Sequence, residues 1–129
     1  MKRHRRENNQ LDTSQGFCCR GRVWIEKNSE TYLGFGRMVL LQRIKEFGSI
    51  SQAAKSMAMS YKHAWDLVDS MNRQAGESLV STSKGGKGGG GASLTEAGEA
   101  AIKEFAGLLD RLDVFLAKET ARLQVSMMR

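Results

Sequence analysis

Residues 49–76, with the sequence SISQAAKSMAMSYKHAWDLVDSMNRQAG, hold two helical patterns joined by a very short link. Ser49 or Ser51 can cap a first helix of two turns, and Ser60 can cap a longer second helix that ends at Gly76. Apolar residues recur at helical spacing in both patterns, at Ile50, Ala53, Ala54 and Met57 and then at Ala64, Leu67, Val68 and Met71. This outline is typical of a helix-turn-helix, whose second helix enters the DNA major groove by its N-terminal end.

The residues before this pair predict a small hairpin and a further helix. GRVWIEKN alternates between apolar and polar residues and ends at Asn28-Ser29, which predicts a strand that turns back through Thr31 to Leu33. Gly34 and Gly36 are expected to end the hairpin. Residues 37–47 then show apolar residues at helical spacing, and Gly48 stops that helix.

A glycine-rich segment follows the second helix of the pair. Residues 86–91, GKGGGG, formally satisfy the G-x-G-x-x-G dinucleotide fingerprint, but the acidic residue that should follow on a second parallel strand falls at Asp110, inside a helical pattern. The flanking LVST and ASL are short and placed to pair with each other, so a hairpin tip is predicted over residues 83–92. Glycines allow a close approach to a surface, and lysines there can meet phosphates. A hairpin in this position is the wing of a winged helix.

A long amphipathic helix is predicted from Thr95 to about residue 123, with a short tail over residues 124–129. An apolar stripe steps by four, three, four and three residues along it, through Ala101, Phe105, Leu108, Leu112 and Phe115. The stripe is too wide for one small domain, so part of it is expected to pack on a second copy of the chain. A helix that packs wholly within its own core is the alternative.

Charge and composition restrict the class of protein. The net charge is +6, and residues 1–22 contribute +4 of it, from six basic and two acidic residues. Residues 1–20 lack periodicity and predict a basic, poorly ordered arm ahead of a domain over residues 21–123. No run of apolar residues is long enough to cross a membrane, and no signal peptide is recognised, so a cytoplasmic protein is expected. Cys18 and Cys19 are read as free thiols, with binding of a soft metal as the alternative.

The sequence resembles the DNA-binding domain of ModE-type, molybdate-responsive transcriptional regulators, which are relatives of the LysR-type winged helices. The resemblance covers about residues 21–116, and its most specific parts are SISQAAK, SYKHAWD and GGKGGGGA followed by LT. It implies a mainly α fold with a small β wing, namely a winged helix-turn-helix with a long C-terminal dimerisation helix. Because the sequence ends soon after that helix, the molybdate-binding domains of full-length members are expected to be lacking, and a small-anion effector is not supported.

The resemblance also implies which residues meet double-stranded DNA. By matching positions, the DNA-facing residues of the two helices are Ser51, Gln52, Ser60, Tyr61, Lys62 and His63. Lys84 and Lys87 would lie on the backbone or minor groove from the wing, and Arg73, near the end of the recognition helix over residues 60–76, is a weaker backbone candidate. Asp66 and Asp69 are placed away from phosphates, and Trp65 is read as a core residue rather than a stacking platform.

A homodimeric, sequence-specific DNA-binding regulator is the function that these features favour. Two alternatives remain: an architectural protein that binds DNA without sequence preference, and a protein-interaction module that has lost DNA binding. No enzyme activity, metal or cofactor is expected, because His63 is the sole histidine outside the arm and no nucleophile and base can be paired with it.

Overall fold

The computed structural model describes residues 16–83 and 90–127, which form two compact units. The first unit spans residues 24–105, and the second combines residues 16–23 with residues 106–127. The elements in chain order are β1 (Ile25–Lys27), β2 (Glu30–Leu33), α1 (Phe35–Phe47), α2 (Ile50–Ser56), α3 (Tyr61–Ala75), β3 (Val80–Thr82), β4 (Ala92–Leu94) and α4 (Glu96–Met127). This order is the winged helix-turn-helix that the sequence predicts, with a small amount of strand in a mainly helical chain.

Local capping sets the boundaries of α2 and α3. The Ser49 hydroxyl accepts a hydrogen bond from the Gln52 amide at 3.2 Å, which identifies Ser49 rather than Ser51 as the cap of α2. The Ser60 hydroxyl accepts from the His63 amide at 3.0 Å and so begins α3. Gly76 takes the left-handed conformation, with φ of 72°, that a side chain would disfavour, and α3 ends there.

Both predicted hairpins are present as antiparallel pairs. β1 pairs with β2 through a turn at Asn28 and Ser29, both with positive φ, and β3 pairs with β4 with Ser81 opposite Ser93. One detail of the sequence interpretation is wrong: Gly36 lies inside α1, and Gly34 alone precedes that helix as its N-cap. A glycine in the first turn is compatible with a helix whose remaining residues pack well.

The core of the first unit is formed by the apolar faces that the periodicity predicts. Ala53, Ala54 and Ala64 are at most 1 % exposed, which fits a close approach of α2 to α3. Around them lie the larger buried side chains Leu33, Leu40, Leu41, Ile44, Val68, Met71, Leu79 and Phe105. Phe105 is fully buried, so the first ten residues of α4 complete this core rather than project from it.

The second unit is a helix segment with an extended strip of chain attached to it. The Cys19 amide donates to the Thr120 hydroxyl at 2.9 Å, and the Gln124 side chain donates to the Phe17 carbonyl at 2.9 Å. Among its described residues, Leu109 and Thr120 alone are buried. The last part of the predicted arm, residues 16–20, is thus held to α4 by hydrogen bonds, whereas residues 1–15 lie outside the described part of the chain.

The start of α4 lies against the residue that precedes β3. The Thr95 hydroxyl caps α4 by accepting from the Gly98 amide at 3.1 Å, and it donates to the carbonyl of Ser78 at 2.6 Å. The Thr95 amide donates to the carbonyl of Leu79 at 3.0 Å. A Cβ atom built on Gly98 would collide with that same Leu79 carbonyl oxygen, so a residue without a side chain is required at this crossing.

Replacement of Gly98 by alanine is therefore expected to lower the free energy of unfolding by about 1–3 kcal/mol, because the backbone carbonyl of Leu79 cannot move aside. The matched control is Gly107→Ala in the same helix, where the nearest atom is the flexible end of Arg111 at 3.2 Å. That variant should gain up to about 1 kcal/mol from helix propensity. Urea unfolding of both variants measures the difference, and equal effects would contradict the close packing.

Candidate nucleic-acid interface

The N-terminal end of α3 presents polar side chains to solvent. Tyr61 is 55 % exposed, the Lys62 side chain is 86 % exposed, and His63 is exposed beside them. Ala64, the next residue, has no exposed surface, because it packs toward α2. The helix is thus fixed on one side by its core, while its first turn exposes three hydrogen-bonding side chains to solvent.

The first turn of α2 contributes a second group of polar residues. Ser51 and Gln52 are exposed in the first turn of the helix that Ser49 caps. Both side chains are thus open to solvent at the N-terminal end of the helix. Serine and glutamine side chains both donate and accept hydrogen bonds, so this turn can bind phosphate oxygens or base edges.

Further along α3, the exposed face carries both signs of charge. Lys62, Asp66, Asp69 and Arg73 follow one another at steps of four, three and four residues, and all four are exposed. The Lys62 ammonium lies 3.9 Å from the Asp66 carboxylate. Trp65 is half-buried, and its ring meets that of Tyr61 edge to face at 6.3 Å, so it supports Tyr61 from the side.

The base of the wing is fixed to α3 by one side chain. The side-chain oxygen Oδ1 of Asn72 accepts hydrogen bonds from the backbone amides of Leu79 and Val80, at 2.7 and 3.3 Å. At the other end of the hairpin, the Ser83 amide donates to the Gly91 carbonyl at 2.9 Å. The predicted wing lysines, Lys84 and Lys87, lie outside the described residues. The strands that carry them are therefore positioned relative to α3 even though the tip itself is not described.

Arg73 is occupied by an ion pair. Its guanidinium makes two hydrogen bonds to the Glu30 carboxylate, at 2.8 and 3.2 Å, and so attaches the end of α3 to β2. The hydrogen bond from Arg73 lowers the pKa of Glu30 below its ordinary value, and the same contact raises the pKa of Arg73. Arg73 lies eleven residues after Lys62, so the two residues are about 16 Å apart along the helix axis.

A buried polar network lies beside this pair. The Ser70 hydroxyl accepts from Arg37 and from Gln74, each at 3.0 Å, and donates to Glu30 at 3.3 Å. The Gln74 side-chain amide also donates to the backbone carbonyl of Thr31 at 2.6 Å. Burial lowers the pKa of Arg37, an effect that the nearby Glu30 charge opposes. These contacts join β2, α1 and α3, so they maintain the hairpin against the helix-turn-helix.

A shallow cleft of about 470 Å³ opens between the start of α1 and the turn that joins α2 to α3. Most of its surface is apolar and comes from residues such as Met57, Met59 and Leu67, with Arg37 and His63 also lining it. Within the described residues, no group of three or more His, Cys, Asp or Glu side chains is placed to hold a metal ion. In the same part of the chain, no helix has the length and apolar character to span a membrane.

The residues predicted to form the dimerisation stripe divide between the two units. Ala101 and Phe105 are 8 % and 0 % exposed in the core of the first unit, so neither offers a surface to a second copy. Leu108 and Leu112 are half-buried and Phe115 is 58 % exposed, and these three belong to the second unit. Periodicity alone could not separate the two groups, since the heptad steps continue across residue 105.

Several positioning residues were missed by sequence reasoning. Asn72, Glu30 and Gly98 hold the wing, the hairpin and α4 in place, and none belongs to a recognisable motif. Asn72 binds the backbone seven and eight residues further along the chain, beyond the reach of the local side-chain patterns that a sequence reveals. The partner of Arg73 lies 43 residues away in the sequence and left no local signal.

A polar recognition-helix terminus, a second helix packed on it and an antiparallel hairpin tied to its far end together define a winged helix-turn-helix domain. A family profile described as "Bacterial regulatory helix-turn-helix protein, lysR family" matches residues 35–99, which covers α1 through the first turn of α4. The chain belongs to this LysR family. The expectation that it is a regulator rather than an enzyme agrees with that assignment.

Curated relatives with similar sequences are regulators named ModE and molybdenum-related proteins. Over 69 residues, the chain is 52 % identical to the transcriptional regulator ModE of Yersinia pestis, covering 54 % of this chain and 26 % of that protein. It is 49 % identical to the DNA-binding transcriptional dual regulator ModE of Escherichia coli K12, over the same shares of both chains. It is 44 % identical to the molybdenum-pterin-binding protein MopB of Rhodobacter capsulatus, covering 70 % of this chain and 33 % of that protein.

The chain thus spans about a quarter to a third of the length of these relatives. Among solved structures, a similarity is found to the crystal structure of ArgP from Mycobacterium tuberculosis, with a TM-score of 0.47 and 20 % identity. It covers 64 % of this chain and 29 % of that one. The predicted resemblance to ModE-type regulators is confirmed by the sequence relatives.

The role of Arg73 can be tested against that of its partner. Glu30→Gln and Arg73→Gln should each lower the stability, and Glu30→Gln by more, because Glu30 also accepts from Ser70 and opposes the effect of burial on Arg37. Since the pair lowers the pKa of Glu30, its stabilisation is present above pH 4.5 and is lost as the pH falls through the lowered pKa, so the variants should converge with the wild type in acid. Thermal unfolding from pH 3 to pH 7 measures this.

The salt dependence of DNA binding tests whether Arg73 is held by Glu30 or contacts a DNA phosphate. If it is held by Glu30, neither substitution should change the slope of log affinity against log salt. A slope that falls by about one per protomer in Arg73→Gln alone would instead identify Arg73 as a phosphate contact.

Proposed function

We propose that this chain is a sequence-specific DNA-binding transcriptional regulator that acts as a homodimer. In this proposal, the N-terminal end of α3 enters the major groove, and the wing over residues 83–92 lies on the backbone or in the minor groove. Membership of a family of bacterial regulators supports binding to double-stranded DNA. A cytoplasmic location follows from that role.

The observation that carries the proposal is the first turn of α3. Tyr61, Lys62 and His63 are exposed together at the end of a helix whose opposite side is buried. Lysine and histidine can donate to guanine N7 or O6, and tyrosine can hold a phosphate. Because the Ser60 hydroxyl accepts from the His63 amide, the first turn of α3 is already ordered as helix at the end that would enter the groove.

The first turn of α2 and the wing complete the proposed interface. Ser51 and Gln52 would meet the backbone that flanks the groove, since they are exposed at the N-terminal end of the helix that packs on α3. Lys84 and Lys87 would supply phosphate contacts from the wing, whose base Asn72 holds to α3. Contacts with the DNA backbone set the orientation and affinity of the complex, while the first turn of α3 would recognise the base sequence.

The second unit supports the dimer. In the described part of the chain, its exposed large hydrophobic side chains include Phe17, Phe115, Val125 and Met127. Burial of each such side chain contributes about 1.5–3 kcal/mol, so a partner that covers several of them gains substantial stability. Leu108, Leu112 and Phe115 follow a heptad spacing along α4, which suits the packing of two helices. We therefore confine the proposed dimerisation stripe to these three residues.

Selection from a random DNA library tests whether the protein prefers a particular DNA sequence. We expect the wild-type chain to enrich a dyad with half-sites about one helical turn apart. Log affinity should fall with log salt at a slope of about −4, if Lys84 and Lys87 of two protomers neutralise four phosphates. Lys62→Ala should relax the preference at one position of each half-site by about ten- to a hundredfold.

The control for this experiment is Lys103→Ala, which removes an exposed lysine of α4. It should leave the selected motif unchanged. If the wild-type chain binds the selected DNA and a scrambled sequence equally, the protein is an architectural DNA binder instead. If no salt-dependent binding is detected, a protein-interaction module is favoured.

A substitution that places a charge on the proposed dimerisation stripe tests whether the chain forms a dimer through it. Phe115→Glu should raise the dimer dissociation constant by at least about thirtyfold, because a central aromatic residue of an interface often contributes 2 kcal/mol or more. Light scattering during size-exclusion chromatography over a range of protein concentrations measures the change. DNA binding should weaken in parallel, since one protomer alone contacts one half-site.

Val114→Glu is the matched control. Val114 is 54 % exposed, close to the 58 % of Phe115, but it lies about 100° away around the helix. The dimer should survive this substitution. Loss of the dimer in both variants, or in neither, would place the contact elsewhere.

A further inference from the structure

Asp66 lies in the middle of the surface that α3 offers to DNA. Successive residues of a helix are separated by about 100°, so Asp66 lies about 40° from Lys62 and about 60° from His63 around the axis. It is one turn further along, about 6 Å from the level of Lys62. Its side chain is 66 % exposed, and one of its carboxylate oxygens lies 3.9 Å from the Lys62 ammonium. A groove that accepts both Lys62 and His63 must therefore also accommodate this carboxylate.

A carboxylate in that position has few favourable partners. DNA phosphates repel it, and the contact with Lys62 is weak because both groups remain mostly in water. In the major groove, the hydrogen-bond donors are the amino groups of cytosine and adenine. Adenine places its N7 acceptor beside the amino group, and an ionised carboxylate can only accept, so cytosine is the better match.

The charge of the whole exposed stripe agrees with this assignment. Lys62 is balanced by Asp66, Asp69 adds a second negative charge, and Arg73 is neutralised by Glu30. A helix face without an excess of positive charge gains little from attraction to phosphates. Its contribution to binding must therefore come from contacts with particular base edges. In the major groove, the Asp66 carboxylate is favourable only where a base supplies a hydrogen-bond donor.

We propose that Asp66 is a specificity-determining residue that accepts a hydrogen bond from the amino group of cytosine in the major groove. Lys62, which donates to guanine, lies beside it, so the two side chains together recognise a G·C pair or two neighbouring G·C pairs in each half-site. This inference rests on the proposed function, since it requires that α3 enters the groove.

Library selection with the full chain compares Asp66→Asn, Asp66→Ala and the wild type. The wild type should show a cytosine at one position of each half-site, preferred by about ten- to a hundredfold. Asp66→Asn should change that preference to adenine, because an amide can both donate to N7 and accept from the adenine amino group. Asp66→Ala should lose the preference at this position and keep the rest of the motif.

Asp69→Asn is the matched control, since it removes the same charge from the next turn of the same face and should leave the motif unchanged. Circular dichroism and thermal unfolding confirm that each variant is folded, as expected for an exposed residue. If both Asp66 variants keep the wild-type motif and bind every sequence more tightly, Asp66 merely repels phosphates and the inference is overturned. If the wild type itself selects no motif, the proposed function has failed, and base reading by Asp66 fails with it.

Discussion

The backbone of Leu79 is the point at which the helix-turn-helix, the wing and α4 are joined. Its amide donates to Asn72 on α3, and its carbonyl accepts from the amide and the hydroxyl of Thr95 at the start of α4. The Leu79 side chain is 2 % exposed, so these polar groups lie where water cannot replace a lost partner. Because an unsatisfied buried group costs about 1–3 kcal/mol, the direction in which the wing leaves α3 is strongly fixed.

The sequence was sufficient where structure depends on neighbouring residues. Ser60 caps α3 and Gly76 ends it because both effects act within one turn of helix, and the alanines of α2 and α3 show their close packing by size alone. The choice between Ser49 and Ser51 could not be made in advance, since both are suitable caps two residues apart. The geometry of one hydrogen bond to Gln52 decides it.

Contacts between residues distant in the sequence could not be predicted in the same way. The resemblance offers Arg73 as a weaker candidate for contact with the DNA backbone, and nothing near it in the sequence reveals that Glu30 on β2 engages its guanidinium. Likewise, the apolar steps from Ala101 to Phe115 are uniform, although Phe105 is fully buried and Phe115 is largely exposed. Periodicity reports which side of a helix is apolar, but not what covers it.

Under the proposed function, affinity and specificity come from different parts of this fold. In the proposed complex, Lys84 and Lys87 would supply positive charge for contacts with phosphates of any sequence. The exposed stripe of α3 instead pairs Lys62 with Asp66 and so carries no excess charge there. A protein that bound DNA by attraction alone would gain by replacing that aspartate. Its presence next to the lysine favours a helix that distinguishes one base edge from another.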